Sequence, residues 1–227
     1  MRMFNLDGSE GLMCGNGIRC VAKYLFDNGI RKGERIGEGR YVLHIDTKSG
    51  VKECTVTTKN GLVSKVAVDM GRVELAPEKI PVRLEGESVI NKPVSIDGEV
   101  YRVTCCSMGN PHCTVFVPSV DKLDLEQLGP KFENDPMFPD RVNAEFVEVI
   151  DEHTLKARIW ERGSGETMAC GTGTCAAVVA ATLNGYCEKG RDIRVILKGG
   201  ELTVNYTDAR VIMTGKAEKV YDGVVEV

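Results

Sequence analysis

Alternation of apolar and polar positions dominates the chain. "CTVTTKNGLVSKVAVDM" holds two β-rich runs around Asn60-Gly61, a dipeptide suited to a two-residue hairpin turn. "PVSIDGEVYRV" repeats the arrangement around Asp97-Gly98, and "AEFVEVIDEHTLKARIW" turns at Asp151–His153. "IRVILKGGELTVNY" turns at Gly199-Gly200, with "ARVIMTG" following. Antiparallel hairpins are therefore expected over most of the chain. Two segments break the alternation. Val21, Ala22, Leu25 and Phe26 fall at helical spacing. Ala176 to Leu183 is almost wholly small and apolar, which predicts a helix buried on all sides. The proline-rich "PKFENDPMFP" at 130–139 reads as a loop, and "RVELAPEKIPV" at 72–82 as a domain boundary.

The two helical segments are copies of each other. "EGLMCGNGIRCVAKYLFDNG" begins at Glu10 and "ETMACGTGTCAAVVAATLNG" at Glu166, and they superpose without a gap. Glu10 falls on Glu166, Cys14 on Cys170, Gly15 on Gly171, Gly17 on Gly173, and Asn28-Gly29 on Asn184-Gly185. Asn-Gly at both ends is a helix C-cap signal. Hairpins around a helix, twice, predict two similar halves of mixed α/β (α+β) type.

Composition narrows the function. The chain has 227 residues and a formal net charge of -4, with both signs interleaved, so it shows no basic footprint for nucleic acid. No apolar run reaches transmembrane length and no secretory signal follows Met1, so no membrane partner is expected. Nine cysteines, an odd number, point to free thiols in a reducing compartment, here the cytoplasm.

Cys-Gly-x-Gly before a helix carries specific chemistry. The helix N-terminus presents unpaired N–H groups and partial positive charge, and glycines let an anion approach them. A cysteine there is expected to have its thiolate stabilised, with a pKa below the usual ~8.5. Two such elements in matching halves suit racemisation. One thiolate removes the α-proton, the opposing thiol returns one to the other face, and the N–H groups hold the neighbouring carboxylate. The remaining cysteines have plainer readings. Cys20, Cys54, Cys175 and Cys187 are expected in the core, and Cys105, Cys106 and Cys113 as core or surface filler in strands. Cys-x-x-Cys is absent, so neither a metal site nor a thioredoxin-type redox motif is expected.

"FNLDGSE", "MCGNGIRC", "MGNPH", "RVNAEF", "WERGSGETMACGTGTCA" and "VYDG", in that order along nearly the whole chain, resemble the diaminopimelate epimerase family. The resemblance implies two pseudo-symmetric halves, each a mostly antiparallel sheet wrapped round a central helix. We expect them at 1–71 plus 216–227 and at 72–215. It implies a cofactor-independent isomerase, without pyridoxal phosphate, that interconverts LL- and meso-diaminopimelate for lysine and peptidoglycan precursors. Cys14 and Cys170 match the family's base and acid. Gly15, Asn16, Gly171 and Thr172 match the positions that present N–H groups to the α-carboxylate. Asn5, Asn110, Asn143 and Arg162 match substrate-binding residues, with Arg162 on the distal carboxylate. His112 and Glu161 match polar partners of the cysteines, and a homodimer is left open. Alternatives are a proline or hydroxyproline racemase of the same architecture, whose first motif usually has His at Asn16, or an inactive binding protein. Family members usually begin several tens of residues earlier, with a Gly-x-Gly-Asn-Asp-Phe strand. The first half is therefore expected to be incomplete, and the chain less active and more self-associating than a longer version.

Overall fold

The computed structural model of the chain describes residues 1–4, 8, 10, 11 and 13–224. The chain forms two compact units, Met1–Val68 with Gly215–Val227, and Asp69–Thr214.

The first unit contains helix α1 (Gly15–Asp27) and strands β1 (Glu34–Gly37), β2 (Arg40–Thr47), β3 (Gly50–Lys59) and β4 (Leu62–Gly71, which ends beyond it). They pair antiparallel in sequence order. The hairpin expected at Asn60-Gly61 forms, with φ of 54° and 80° at its two central residues, as a primed turn requires. Helix α1 packs on β2 and β3. Its buried stripe is Ile18, Ala22 and Phe26, joined by Arg19, whereas Val21 and Leu25 of the expected stripe are only half-buried. The Phe26 ring meets Tyr41 at 4.8 Å. Asp27 accepts the Val63 N–H, and Lys23 reaches both Asp27 and the Val63 carbonyl, which fastens the helix to the start of β4. Cys20 is exposed, contrary to its expected place in the core, because it points away from this stripe.

The second unit contains β5 (Val89–Ile96), β6 (Glu99–Ser107), β7 (Pro111–Phe116), helix α2 (Leu125–Glu133), β8 (Asn143–Asp151), β9 (Thr154–Glu161) and β10 (Gly165–Thr167). Helix α3 (Gly171–Leu183), β11 (Asp192–Leu197), β12 (Gly200–Tyr206) and β13 (Val211–Gly215) follow. Strand order is β13-β12-β11-β9-β8-β7-β6-β5, with β10 beside β9. The expected hairpins β5/β6, β8/β9 and β11/β12 all form, while β7/β8 and β9/β11 pair in parallel. Helix α3 packs on β6, β7, β8, β9, β11 and β12, and Gly173 to Ala181 are buried without a break.

A second core is built on β5–β9 and α2, centred on Phe132 and Phe146 with rings 5.2 Å apart. Here the sequence reading needs correction. Residues 130–133 are the last turn of α2, not loop. Asp124 caps the helix by accepting the Gln127 N–H. Pro130 removes only the bond to the carbonyl of Glu126, which lies on the exposed side, so the cost is borne where water can reach.

Candidate active site

Cys14 and Cys170 occupy the same structural position. Each is the N-cap of its helix in extended conformation, with φ of -134° and -111°. Each sulfur accepts the N–H of the glycine three residues on, Gly17 at 3.3 Å and Gly173 at 3.4 Å. Ser, Thr, Asn or Asp would serve better as a plain cap, so the choice of cysteine twice points to chemistry. In α3 the amides of Gly171 and Thr172 then have no acceptor inside the helix, and Gly15 and Asn16 hold the corresponding places in α1. Both helices close on the expected Asn-Gly, with Gly29 at φ +69° and Gly185 at φ +78°.

The structural likeness reaches further upstream than the sequence repeat. Phe4 bridges Glu10 antiparallel, and Trp160 pairs with Glu166 in the same way. Arg2 binds Glu10 at 2.8 Å, and Arg158 binds Glu166 at 2.7 Å. Every one of these matched pairs keeps the spacing of Cys14 and Cys170.

In the first unit, the Gly15 carbonyl and the Asn16 side-chain oxygen both accept from Arg19, which also reaches the Lys216 carbonyl. Arg19, a buried cation four residues into the helix, was not foreseen as a site residue. Asn5 lies outside the described residues.

The second unit gathers the remaining candidates. Cys170 is 7% exposed. Burial pushes its thiol up to about 12, and the nearby Glu161 charge acts in the same sense. Hydrogen bonds from Thr172 and Gly173 oppose this without reversing it. The expected lowering by the helix terminus is therefore overturned at this cysteine, because desolvation outweighs two long hydrogen bonds to sulfur. Glu161 itself accepts the Thr167 hydroxyl at 2.6 Å. His112 does not bond the sulfur. It contacts Asn110 at 3.0 Å; Asn110 donates to Thr172 at 3.4 Å; Thr172 lies 3.4 Å from Cys170 Sγ. Asn143 is 4% exposed, and its amide is committed at both ends, donating to the Pro111 carbonyl and accepting the Arg162 N–H. Its visible work is to hold the Arg162 backbone. The Arg162 guanidinium donates to the Asp140 carbonyl at 2.8 Å on the exposed side.

Two carboxylates were missed. Glu133, at the end of α2, accepts from the Trp160 indole, the Gly163 N–H and Arg141, and so pins the turn that carries Glu161 and Arg162. Nothing in "KFEND" signals this, since its partners are remote in sequence. Glu145 sits fully buried against His112 at 2.6 Å. A clue was present: it is a carboxylate two residues after Asn143, on the same face of the strand, within the otherwise apolar run Ala144 to Val147.

Comparison with known proteins identifies the family. The sequence profile described as "Diaminopimelate epimerase" matches residues 1–76 and 104–220. The chain is 50% identical over 228 residues to a diaminopimelate epimerase of Acetivibrio thermocellus, covering 100% of this chain and 78% of that one. It is 44% identical to one from Methanococcus maripaludis, covering 100% and 79%. Among solved structures, a hydroxyproline epimerase from Agrobacterium vitis superposes with a TM-score of 0.70 at 15% identity, covering 95% of this chain and 66% of that one. A probable proline racemase from Agrobacterium radiobacter gives 0.65 at 16%, covering 97% and 71%. These two share the fold, and the sequence matches decide between branches: the chain belongs to the diaminopimelate epimerase family.

Proposed function

We propose that this protein is an isomerase that interconverts LL- and meso-diaminopimelate in the cytoplasm, on the route to lysine and peptidoglycan precursors. The observation that carries the reading is the pair of cysteine N-caps, Cys14 and Cys170, each bound through sulfur to a glycine amide. One thiolate takes the α-proton and the other thiol supplies its replacement, so the two sulfurs together hold one proton and titrate as a pair. Burial pushes the Cys170 thiol up to about 12, which suits it to act as the acid. The amides of Gly15, Asn16, Gly171 and Thr172 stabilise charge developing on the α-carboxylate. Arg162 takes the distal carboxylate through its planar fork, with Asn5 and Asn110 as further substrate-binding residues and Asn143 fixing the Arg162 backbone.

The test is incubation with LL-diaminopimelate in deuterated water. Formation of the meso isomer with deuterium at the α-carbon supports the reading, and lysine, which lacks the distal carboxylate, should exchange far more slowly. Exchange of proline or hydroxyproline instead would move the protein to another branch of the fold. Exchange of no amino acid would leave a binding protein.

A further inference from the structure

His112 and Glu145 form the most deeply buried ionisable pair among the described residues, both side chains being 0% exposed. Their surroundings fix how many protons they share. His112 Nδ1 faces Glu145 Oε1 at 2.6 Å, and His112 Nε2 faces the side-chain oxygen of Asn110 at 3.0 Å. Both ring nitrogens thus meet oxygen. Asn110 turns its oxygen to the ring because its amide group donates to Thr172. An imidazole between two acceptors needs a second proton, whereas one beside a protonated carboxyl needs only its own.

Two observations select the second arrangement. Glu145 Oε2 is buried and has no hydrogen-bond partner. Its register neighbour Thr114, whose hydroxyl is also buried without a partner, lowers the carboxyl, but it is the weakest of the influences on it. A bare carbonyl oxygen costs far less to bury than a bare carboxylate oxygen. The groups facing Glu145 from its neighbours are Cys106 on β6, Cys113 and His112 on β7, Glu161 on β9 and Cys170 at the head of α3. All but His112 are acids, so no other facing group supplies a positive charge. Burial accordingly holds the Glu145 carboxyl above its ordinary range, against the attraction of His112.

We propose that Glu145 and His112 are a neutral pair, carboxylic acid to imidazole, which sets the direction of a hydrogen-bond chain ending on the Cys170 sulfur. Glu145 donates to Nδ1, the Nε2 proton goes to the Asn110 oxygen, and the Asn110 amide donates to Thr172. The Thr172 hydroxyl proton is then left to donate to Cys170 Sγ, beside the Gly173 amide. Every link points its proton toward the sulfur, which favours the thiolate at the moment Cys170 gives up its proton. With the opposite imidazole tautomer the Asn110 amide would turn over, and the Thr172 proton would point away. Glu145 is thus a positioning residue for Cys170. This rests on Cys170 being one of the two reacting thiols.

Nitrogen-15 NMR of the histidine rings in the full chain tests the pair directly, since there are only three histidines and His44 and His153 are removable by substitution. We expect His112 with Nε2 protonated and Nδ1 unprotonated. Two protonated nitrogens, or a proton on Nδ1 alone, would overturn the proposal. The chain is tested by substitution. Glu145→Ala should lower kcat about tenfold or more with little change in KM. Glu145→Gln, whose amide can donate to Nδ1 as the acid does, should recover most of that loss. It should also restore the pH dependence of Cys170 alkylation. A folded Glu145→Gln protein as impaired as Glu145→Ala would reject the neutral acid. If the tautomer is as expected but Cys170→Ala keeps full turnover, the two-thiol reading fails and the pair stands.

Discussion

Helices α1 and α3 carry the same cap at each end, yet α1 rests on β2 and β3 while six strands enclose α3. The difference shows in the matched ion pairs and in the glycine three residues after each capping cysteine. Arg2 and Glu10 keep 72% and 24% of their side chains exposed, and Arg158 and Glu166 only 18% and 8%. A Cβ added to Gly17 would meet the Cys14 side chain at 3.5 Å and Met1 Sδ at 4.0 Å, both ordinary contacts. One added to Gly173 would come within 2.9 Å of Glu145 Oε1 and 3.1 Å of Ile159. Capping is local, since a sulfur and an amide three residues apart need no other part of the chain. Electrostatics are not local, and the enclosure of α3 desolvates the Cys170 thiol and pushes it up to about 12 despite the cap.

The sharpest test asks whether the two caps are equal in chemistry despite unequal surroundings. Cys14→Ala and Cys170→Ala should each abolish epimerisation in both directions, whereas Cys187→Ala should not. Near-normal turnover by either of the first two would end the equivalence. Next in size is the glycine pair. Gly173→Ala should destabilise by about 1–3 kcal/mol through overpacking against Glu145 and Ile159. Gly17→Ala should be close to neutral, and both are measured by denaturant midpoint. Equal losses would mean that the two helices are equally confined. Smaller still is the contrast between ion pairs. Glu166→Gln should lower the melting temperature clearly, because it strands Arg158, which also donates to the Val120 and Leu123 carbonyls. Glu10→Gln should leave it almost unchanged, as for most exposed pairs.

The finest comparison uses pH. The Cys170 thiol, at about 12 when folded, lies above its unfolded value of ~8.5. The folded state therefore holds this proton more tightly, and the associated stability is complete below about pH 8.5 and lost as pH rises toward 12. Alkylation of Cys170 in the free protein should accordingly be slow near neutrality and keep accelerating with pH. A plateau near pH 7 would show that the cap outweighs burial here.

Much of this was legible in the sequence, and the failures have a common cause. Asn60-Gly61, Asp97-Gly98 and Gly199-Gly200 specify turns by their own backbone freedom, so the hairpins could be read directly. The gapless repeat located both helices and both caps. What could not be read depended on strands remote in the chain. The desolvation of Cys170 comes from its enclosure, and the role of Glu133 from Trp160 and Gly163. The exposure of Cys20 reflects the face that α1 turns to β2 and β3. Residues 130–133, the end of α2, read as loop because proline breaks helices in general, and the exposed position of Glu126 is not visible in the sequence.

The enclosure of α3 also orders events in time. Its sequence is complete on the ribosome before β11 and β12, two of the strands that cover it, have been made. For that interval a helix with no polar face has one side without its native cover, and only β6 to β9 are available to shelter it. An apolar surface waiting for later strands is the kind of nascent segment on which chaperones act and from which aggregation starts. Helix α1 has the same dependence on strands that follow it, β2 and β3, but it is amphipathic and can wait with its polar side in water. The two matched helices thus place unequal demands on the cell during synthesis, and the heavier demand falls on the one that ends up most protected.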